Sequence, residues 1–335
     1  MNDKIDVFKL NRNETTFFKG IAILFVLLGH LGYIYKGGAW GVSLFLILSG
    51  YGIFQSYKKN NNAAYFSKKI QKIYLPYLLV TIVVLLHYIY ISNFNPDKTT
   101  ILVSLLGLDF NCLYDKTMWY ISFIFLQYTV FFISCNISRK LCKKTENVDH
   151  MIIAINFIFS VILYNISQNY LIWGQWTGAF LYCYAFSIGL LISKLSSIKI
   201  NKIIKDTIFN FIIFVIAIIL LCLYNNISND FQYLIYANAL PILLVLLHEF
   251  KSIKGKHTII NFIGKYSYDI YLWEAFIISY FRQWFPGIKP VLISDICCII
   301  MILLVAYSYN KLIITPTLEF VSEKIEKRRN ENYGK

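Results

Sequence analysis

Charged side chains are scarce in this sequence. Asp, Glu, Lys and Arg make up 15% of its 335 residues, and 57% of the residues are hydrophobic. An ordinary soluble domain is about a quarter charged. The shortage excludes a conventional soluble domain and points to a chain dissolved in lipid. Acids are the scarcer sign, with 18 Asp and Glu against 32 Lys and Arg. The seven cysteines form no C-x-x-C pair and most lie in apolar runs. That excludes a disulfide framework and a zinc site, and no other metal site is legible. The first apolar run lacks a small-residue cleavage site, so it is expected to stay as a first helix. No internal repeat and no second, soluble domain are legible.

What is present is a series of long apolar runs. A helix needs roughly 20 apolar residues to cross a bilayer. Ten runs are candidates on that rule, at 18–35, 38–57, 73–92, 117–136, 151–168, 171–193, 207–225, 232–248, 266–281 and 291–312, the ninth being short. The stretch 101–108 is too short to span and is expected to be re-entrant or interfacial. The expected fold is therefore an all-α membrane protein, a bundle of about ten transmembrane helices. Residues 1–16 would be a cytoplasmic N-terminal segment, 17–312 the ten-helix domain, and 313–335 a charged cytoplasmic tail.

The net charge of +14 suggests nucleic acid until its placement is read. With a cytoplasmic N-terminus, the loops on the outer side hold only Lys36, Lys98, Lys116, Arg282 and Lys289. Every other Lys and Arg falls on the inner side. This is the positive-inside bias. It puts both termini in the cytoplasm and explains the basic excess without nucleic acid, with anionic lipid as a further contact. The location implied is a cell membrane, crossed many times, and the richness in Ile, Asn and Lys suggests a bacterial one.

Polar groups interrupt the apolar runs at similar depth. In KGIAILFVLLGH, His30 follows Lys19 by about 16 Å along a helix and about 20° around it. The second run carries Ser49 and Tyr51, and the ninth carries Glu274. Ionisable groups inside a bilayer are costly and tend to line a polar cavity. The pattern points to a polar pocket shared by the first, second and ninth helices. The plain alternatives are an interhelical hydrogen bond for His30 and a protonated structural carboxyl for Glu274. Of the other histidines, His87, His150, His248 and His257 receive no role.

In order and spacing, these segments resemble the acyltransferase 3 family, integral membrane acyltransferases of cell-surface glycans. The family's Arg-x10-His element corresponds to KGIAILFVLLGH from Lys19 to His30. Its Gly-Val-Asp-Leu-Phe-Phe-Val-Leu-Ser-Gly-Phe block corresponds to GVSLFLILSGYGIF from Gly41. Its Arg-Arg-x-x-Arg-Ile-Tyr-Pro block corresponds to KKIQKIYLPYLL from Lys68. MWYISFIFLQY around Trp119 looks like its Trp-bearing fourth helix, and GKYSYDIYLWE looks like its late Ser-Tyr-x-x-Tyr-Leu-x-His motif. The chain departs from the pattern at Lys19 for Arg, Ser43 for Asp and Glu274 for His. Ile124 and Phe125 stand where an acid is common. No hydrolase-like extension is legible, as in the short, membrane-only form.

The resemblance implies an O-acyltransferase with acyl-CoA, acetyl-CoA first, as donor and a glycan hydroxyl as acceptor. No bound cofactor is implied. His30 would be the general base or a transient acyl carrier, with Glu274 orienting it. Lys19, Lys69 and Lys72 would hold the CoA phosphates. Ser49, Tyr51, Trp119, Ser267, Asp269 and Tyr271 would line the substrate pocket. Partners would be the bilayer, the donor, the glycan acceptor, and a second copy or glycan-assembly proteins. The competing readings are a proton-coupled transporter or flippase of a glycan precursor, and a catalytically idle membrane domain. Against the carrier, duplicated halves of the kind many carriers show are not legible.

Overall fold

The structure is a computed structural model. It describes residues 4–6, 9–60, 63–92, 96–109, 117–167, 180–201, 212, 215–216, 230–250, 258–286 and 291–333. The expected span 207–225 and the first part of 171–193 lie largely outside the described residues. Helices run over α1 (Arg12–His30), α2 (Gly37–Asn60), α3 (Ala63–Tyr90), α4 (Lys98–Leu105), α5 (Trp119–Leu141) and α6 (Thr145–Ser167). After a 3-10 turn at Phe180–Tyr182 come α7 (Cys183–Leu195), α8 (Asp230–Phe250), α9 (Thr258–Lys265), α10 (Ser267–Trp284), α11 (Val291–Tyr309) and α12 (Thr315–Tyr333). Residues 37–59, 69–90, 119–141, 145–166 and 291–324 form helices long and apolar enough to cross a membrane. Two further apolar helices, Cys183–Leu195 and Gln232–Val245, are shorter.

The helices fall into two compact units, Met1–Phe66 with Phe110–Lys265, and Ser67–Asp109 with Tyr266–Lys335. In the first unit α2 is the hub and packs on α1, α7 and α8. Two glycines make the α2–α7 approach possible. A Cβ on Gly50 would strike the Phe186 carbonyl, and one on Gly189 would strike the Ile47 carbonyl. Small residues at such crossings let backbones meet closely, which is how helices associate where lipid gives no hydrophobic drive. Buried polar side chains join α5, α6 and α7. Asn156 donates to Ser134 Oγ at 3.0 Å, and Ser160 Oγ donates to the Cys183 carbonyl at 2.9 Å. At one end of these helices Asp149 receives Lys194 at 3.1 Å and Lys58 at 3.9 Å.

The second unit shows how a proline is tolerated inside an apolar helix. Pro76 in α3 cannot donate to the preceding turn. Side chains from later helices bond the carbonyls around it. Tyr268 Oη donates to Ile73 O and Tyr309 Oη to Pro76 O, both at 2.7 Å. The short α4 takes the place expected of the 101–108 piece. Asp97 caps its N-terminus, and the Thr100 hydroxyl bond holds that carboxyl below its ordinary range. Tyr74 and Tyr77 on α3 donate to the α4 carbonyls of Leu105 and Ser104.

Three boundaries differ from the sequence reading. The first helix begins at Arg12, because Asn11 and Glu14 form a reciprocal capping box that fixes the start. It ends at His30 although the apolar run continues to Tyr35. The charged tail continues the tenth expected span as α12 through a π turn at Asn310–Ile314. A short antiparallel ribbon, Lys4–Asp6 with Lys199–Asn201, adds two strands to a chain expected to be all helical.

Candidate active site

His30 closes α1 and its side chain is exposed. The helix stops there because the next residues turn back on its last carbonyls. Leu31 N–H reaches Leu27 O at 2.9 Å, and Tyr33 N–H reaches Leu28 O at 2.9 Å. Gly32, with φ of +85°, supplies the left-handed residue that such an ending uses. The expectation of a mid-helix imidazole is therefore corrected: His30 stands at a helix end. Lys19, also exposed, lies eleven residues earlier on α1, about three turns from that end and on nearly the same face.

The first turn of α2 passes directly over this end. A Cβ on Gly29 would strike the Gly38 amide, and one on Gly38 would lie 3.8 Å from His30 Nε2. The imidazole thus sits beside the amide-rich start of α2, where unpaired N–H groups leave partial positive charge. Ser49 lies further along α2. Its hydroxyl bonds the phenols of Tyr120 and Tyr128 on α5. Trp119, at the start of α5, stacks on Tyr182 with centroids 5.7 Å apart and planes 17° apart. Tyr51 faces elsewhere. Its hydroxyl accepts from Leu10 N–H at 3.0 Å and lies 3.3 Å from Leu10 O, so it ties down the chain before α1.

The remaining expected residues belong to the second unit. Glu274 is fully buried on the face of α10 that also carries Ile270, Ile277 and Phe281. Ser267, Asp269 and Tyr271 are buried on the same helix. Asp269 Oδ2 accepts from Asn310 Nδ2 at 2.9 Å, and Tyr271 stacks with Tyr268. On α3, Lys69 is half-buried and Lys72 exposed. Among the described residues no group of three or more His, Cys, Asp or Glu could hold a metal ion.

A family model described as an acyltransferase domain matches residues 13–311, most of the chain. The chain belongs to the acyltransferase 3 family. Comparison with curated proteins and with solved structures finds no match. Membership makes this a membrane acyltransferase, and every motif residue discussed above lies inside the matched range.

The sequence reading missed two features of this acyltransferase. Gln127 on α5 is fully buried, and neither amide atom has a hydrogen-bond partner among the described residues. It is visible in the sequence as the one amide in MWYISFIFLQY. Lys36 has a left-handed backbone, φ +54°. Only the following Gly-Gly hints at a tight turn there.

Proposed function

We propose that this chain moves an acyl group, acetyl first, from cytoplasmic acyl-CoA to a hydroxyl of a cell-surface or exported polysaccharide or its lipid-linked precursor. The observation that carries the reading is His30. It lies in the matched family region, it is accessible, and it closes a helix whose other half bears Lys19. A sugar hydroxyl is a weak nucleophile at neutral pH. His30 accepts its proton as the oxygen attacks the thioester carbonyl. The tetrahedral intermediate then expels the CoA thiolate, which takes the proton back from the imidazolium. The products are an ester and free CoA thiol. Backbone N–H groups at the start of α2 are suited to stabilise the oxyanion.

With the N-terminus cytoplasmic, Lys19 lies about 16 Å inward of His30. The extended pantetheine arm of CoA can bridge that separation. Its phosphates would then stay on the cytoplasmic side, near Lys19. Ser49 with its tyrosine partners and Trp119 are the proposed acceptor contacts.

The test is transfer of radiolabelled acetyl from acetyl-CoA to surface polysaccharide, in membranes holding equal amounts of wild type or His30→Ala. Removing a general base lowers the rate by about 10²- to 10⁴-fold. Label with wild type and its loss in the variant is the expected result. Equal label in both removes His30 from the chemistry. No label in either, with a response to a proton gradient instead, overturns the acyltransferase assignment in favour of a carrier.

A further inference from the structure

The turn between α1 and α2 holds a lysine in an unusual position. Lys36 has φ +54°, a region that residues with a Cβ occupy at a cost and glycine occupies freely. Its carbonyl accepts from Ala39 N–H at 3.0 Å, so Lys36 caps the helix that passes over His30. Strained backbone at a helix start beside a proposed reacting group raises the question of what the side chain does.

The ammonium is held against aromatic rings. Lys36 Nζ lies 4.6 Å from the Tyr233 ring centroid and 5.1 Å from that of Tyr35. A cation over a ring face keeps its N–H donors available on the side away from the ring. Among the described residues no carboxylate pairs with it. The ring it rests on begins an aromatic row. Tyr233 Oη lies 3.1 Å from Tyr182 Oη, and Tyr182 stacks on Trp119. The row therefore joins the turn after His30 to the tryptophan at the start of α5, within one unit.

We propose that Lys36 binds an anionic group of the acceptor, which makes the acceptor a glycan bearing carboxylate or phosphate. The proposal rests on the acyl-transfer reading above for the word acceptor, but not for the binding itself. Tyr233 and Trp119 are partly exposed and offer aromatic surface to the apolar faces of sugar rings, and buried Tyr182 joins the two. The ammonium supplies the charge that selects an acidic chain over a neutral one. A single charge-assisted contact is worth about tenfold in affinity.

The test compares wild type, Lys36→Arg and Lys36→Gly in lipid nanodiscs. Glycine suits the left-handed backbone, so this variant removes the charge without a steric reason to misfold. The probes are tetragalacturonate, a glycerol-phosphate tetramer and neutral maltotetraose, with binding read by tryptophan fluorescence. Wild type and Lys36→Arg are expected to bind at least one acidic probe about tenfold more tightly than maltotetraose, with the preference falling as salt rises. Lys36→Gly is expected to bind all three alike. The acid that wins distinguishes carboxylate from phosphate. Equal binding of acidic and neutral probes by wild type, no binding of either acid, or an acid preference that survives in Lys36→Gly overturns the proposal. Release of CoA thiol from acetyl-CoA is measured in the same samples. Acid-selective binding without thiol release supports Lys36 as the anion site and overturns the acyl-transfer reading alone.

Discussion

Two glycines two residues apart on α2 should respond oppositely to the same substitution. A Cβ at Gly50 would fall inside the contact radius of the Phe186 carbonyl, with the Leu190 amide at 3.2 Å. All of these are backbone atoms of α7, so no rotamer change can relieve the clash. The helices must separate. Overpacking of this kind costs about 1–3 kcal/mol, and a rigid backbone neighbour puts Gly50→Ala near the upper end, ~3 kcal/mol. At Gly52 a Cβ would meet nothing within 4 Å. Gly52→Ala should therefore gain only the helix preference of alanine, about 1 kcal/mol. For a unit of this size 1 kcal/mol moves the midpoint by about 2–4 °C. Gly50→Ala should melt about 6–12 °C lower and Gly52→Ala about 2–4 °C higher. The chain carries its own reporter, because Cys135 and Cys183 are buried free thiols in the same unit. A thiol-reactive dye on detergent-purified protein reads their exposure on heating. Midpoints that shift alike in the two variants would refute the close approach of α2 and α7.

Two further substitutions separate support from chemistry. Tyr51→Phe leaves the Leu10 amide and carbonyl without their partner, which should destabilise by about 1–3 kcal/mol and speed proteolysis before α1. Acyl transfer per folded molecule should be unchanged, and a fall in transfer at constant melting temperature would instead place that hydroxyl at the substrate. Gln127→Met replaces a buried amide lacking partners among the described residues by an apolar chain of similar size. Stability should rise by about 1–3 kcal/mol, read in the same thermal assay; a fall would show that the amide is engaged.

Apolar run length was enough to locate α2, α3, α5, α6 and α11, since in lipid a helix must satisfy its own backbone over the whole hydrocarbon depth. It failed where other hydrogen bonds decide the boundary. The start of α1 is set by the Asn11 and Glu14 side chains, and that Asn-x-x-Glu spacing stood in the sequence as a capping signal. The end of α1 is set by backbone donors at 31–34 folding onto the carbonyls of Leu27, Leu28 and Gly29, inside an unbroken apolar run that hydropathy reads as one helix. The five-residue difference at that end matters chemically, because it moves His30 from inside a span to a helix end.

The polar residues were harder to interpret for a related reason. Spacing gives the angle of a side chain around its own helix, but not which helix faces it. Ser49 and Tyr51 are two positions apart on α2 and therefore point about 200° apart. One meets Tyr120 and Tyr128, more than sixty positions further along the chain, and the other meets Leu10, forty-one positions back. Depth alone had grouped them into one pocket. Their partners divide them, leaving Ser49 with the α5 tyrosines as the acceptor-side candidate and Tyr51 as an anchor. The same logic raises Lys36, which its sequence position presents as a loop charge. Its backbone conformation and its aromatic neighbours, from a helix nearly two hundred residues away, are what mark it.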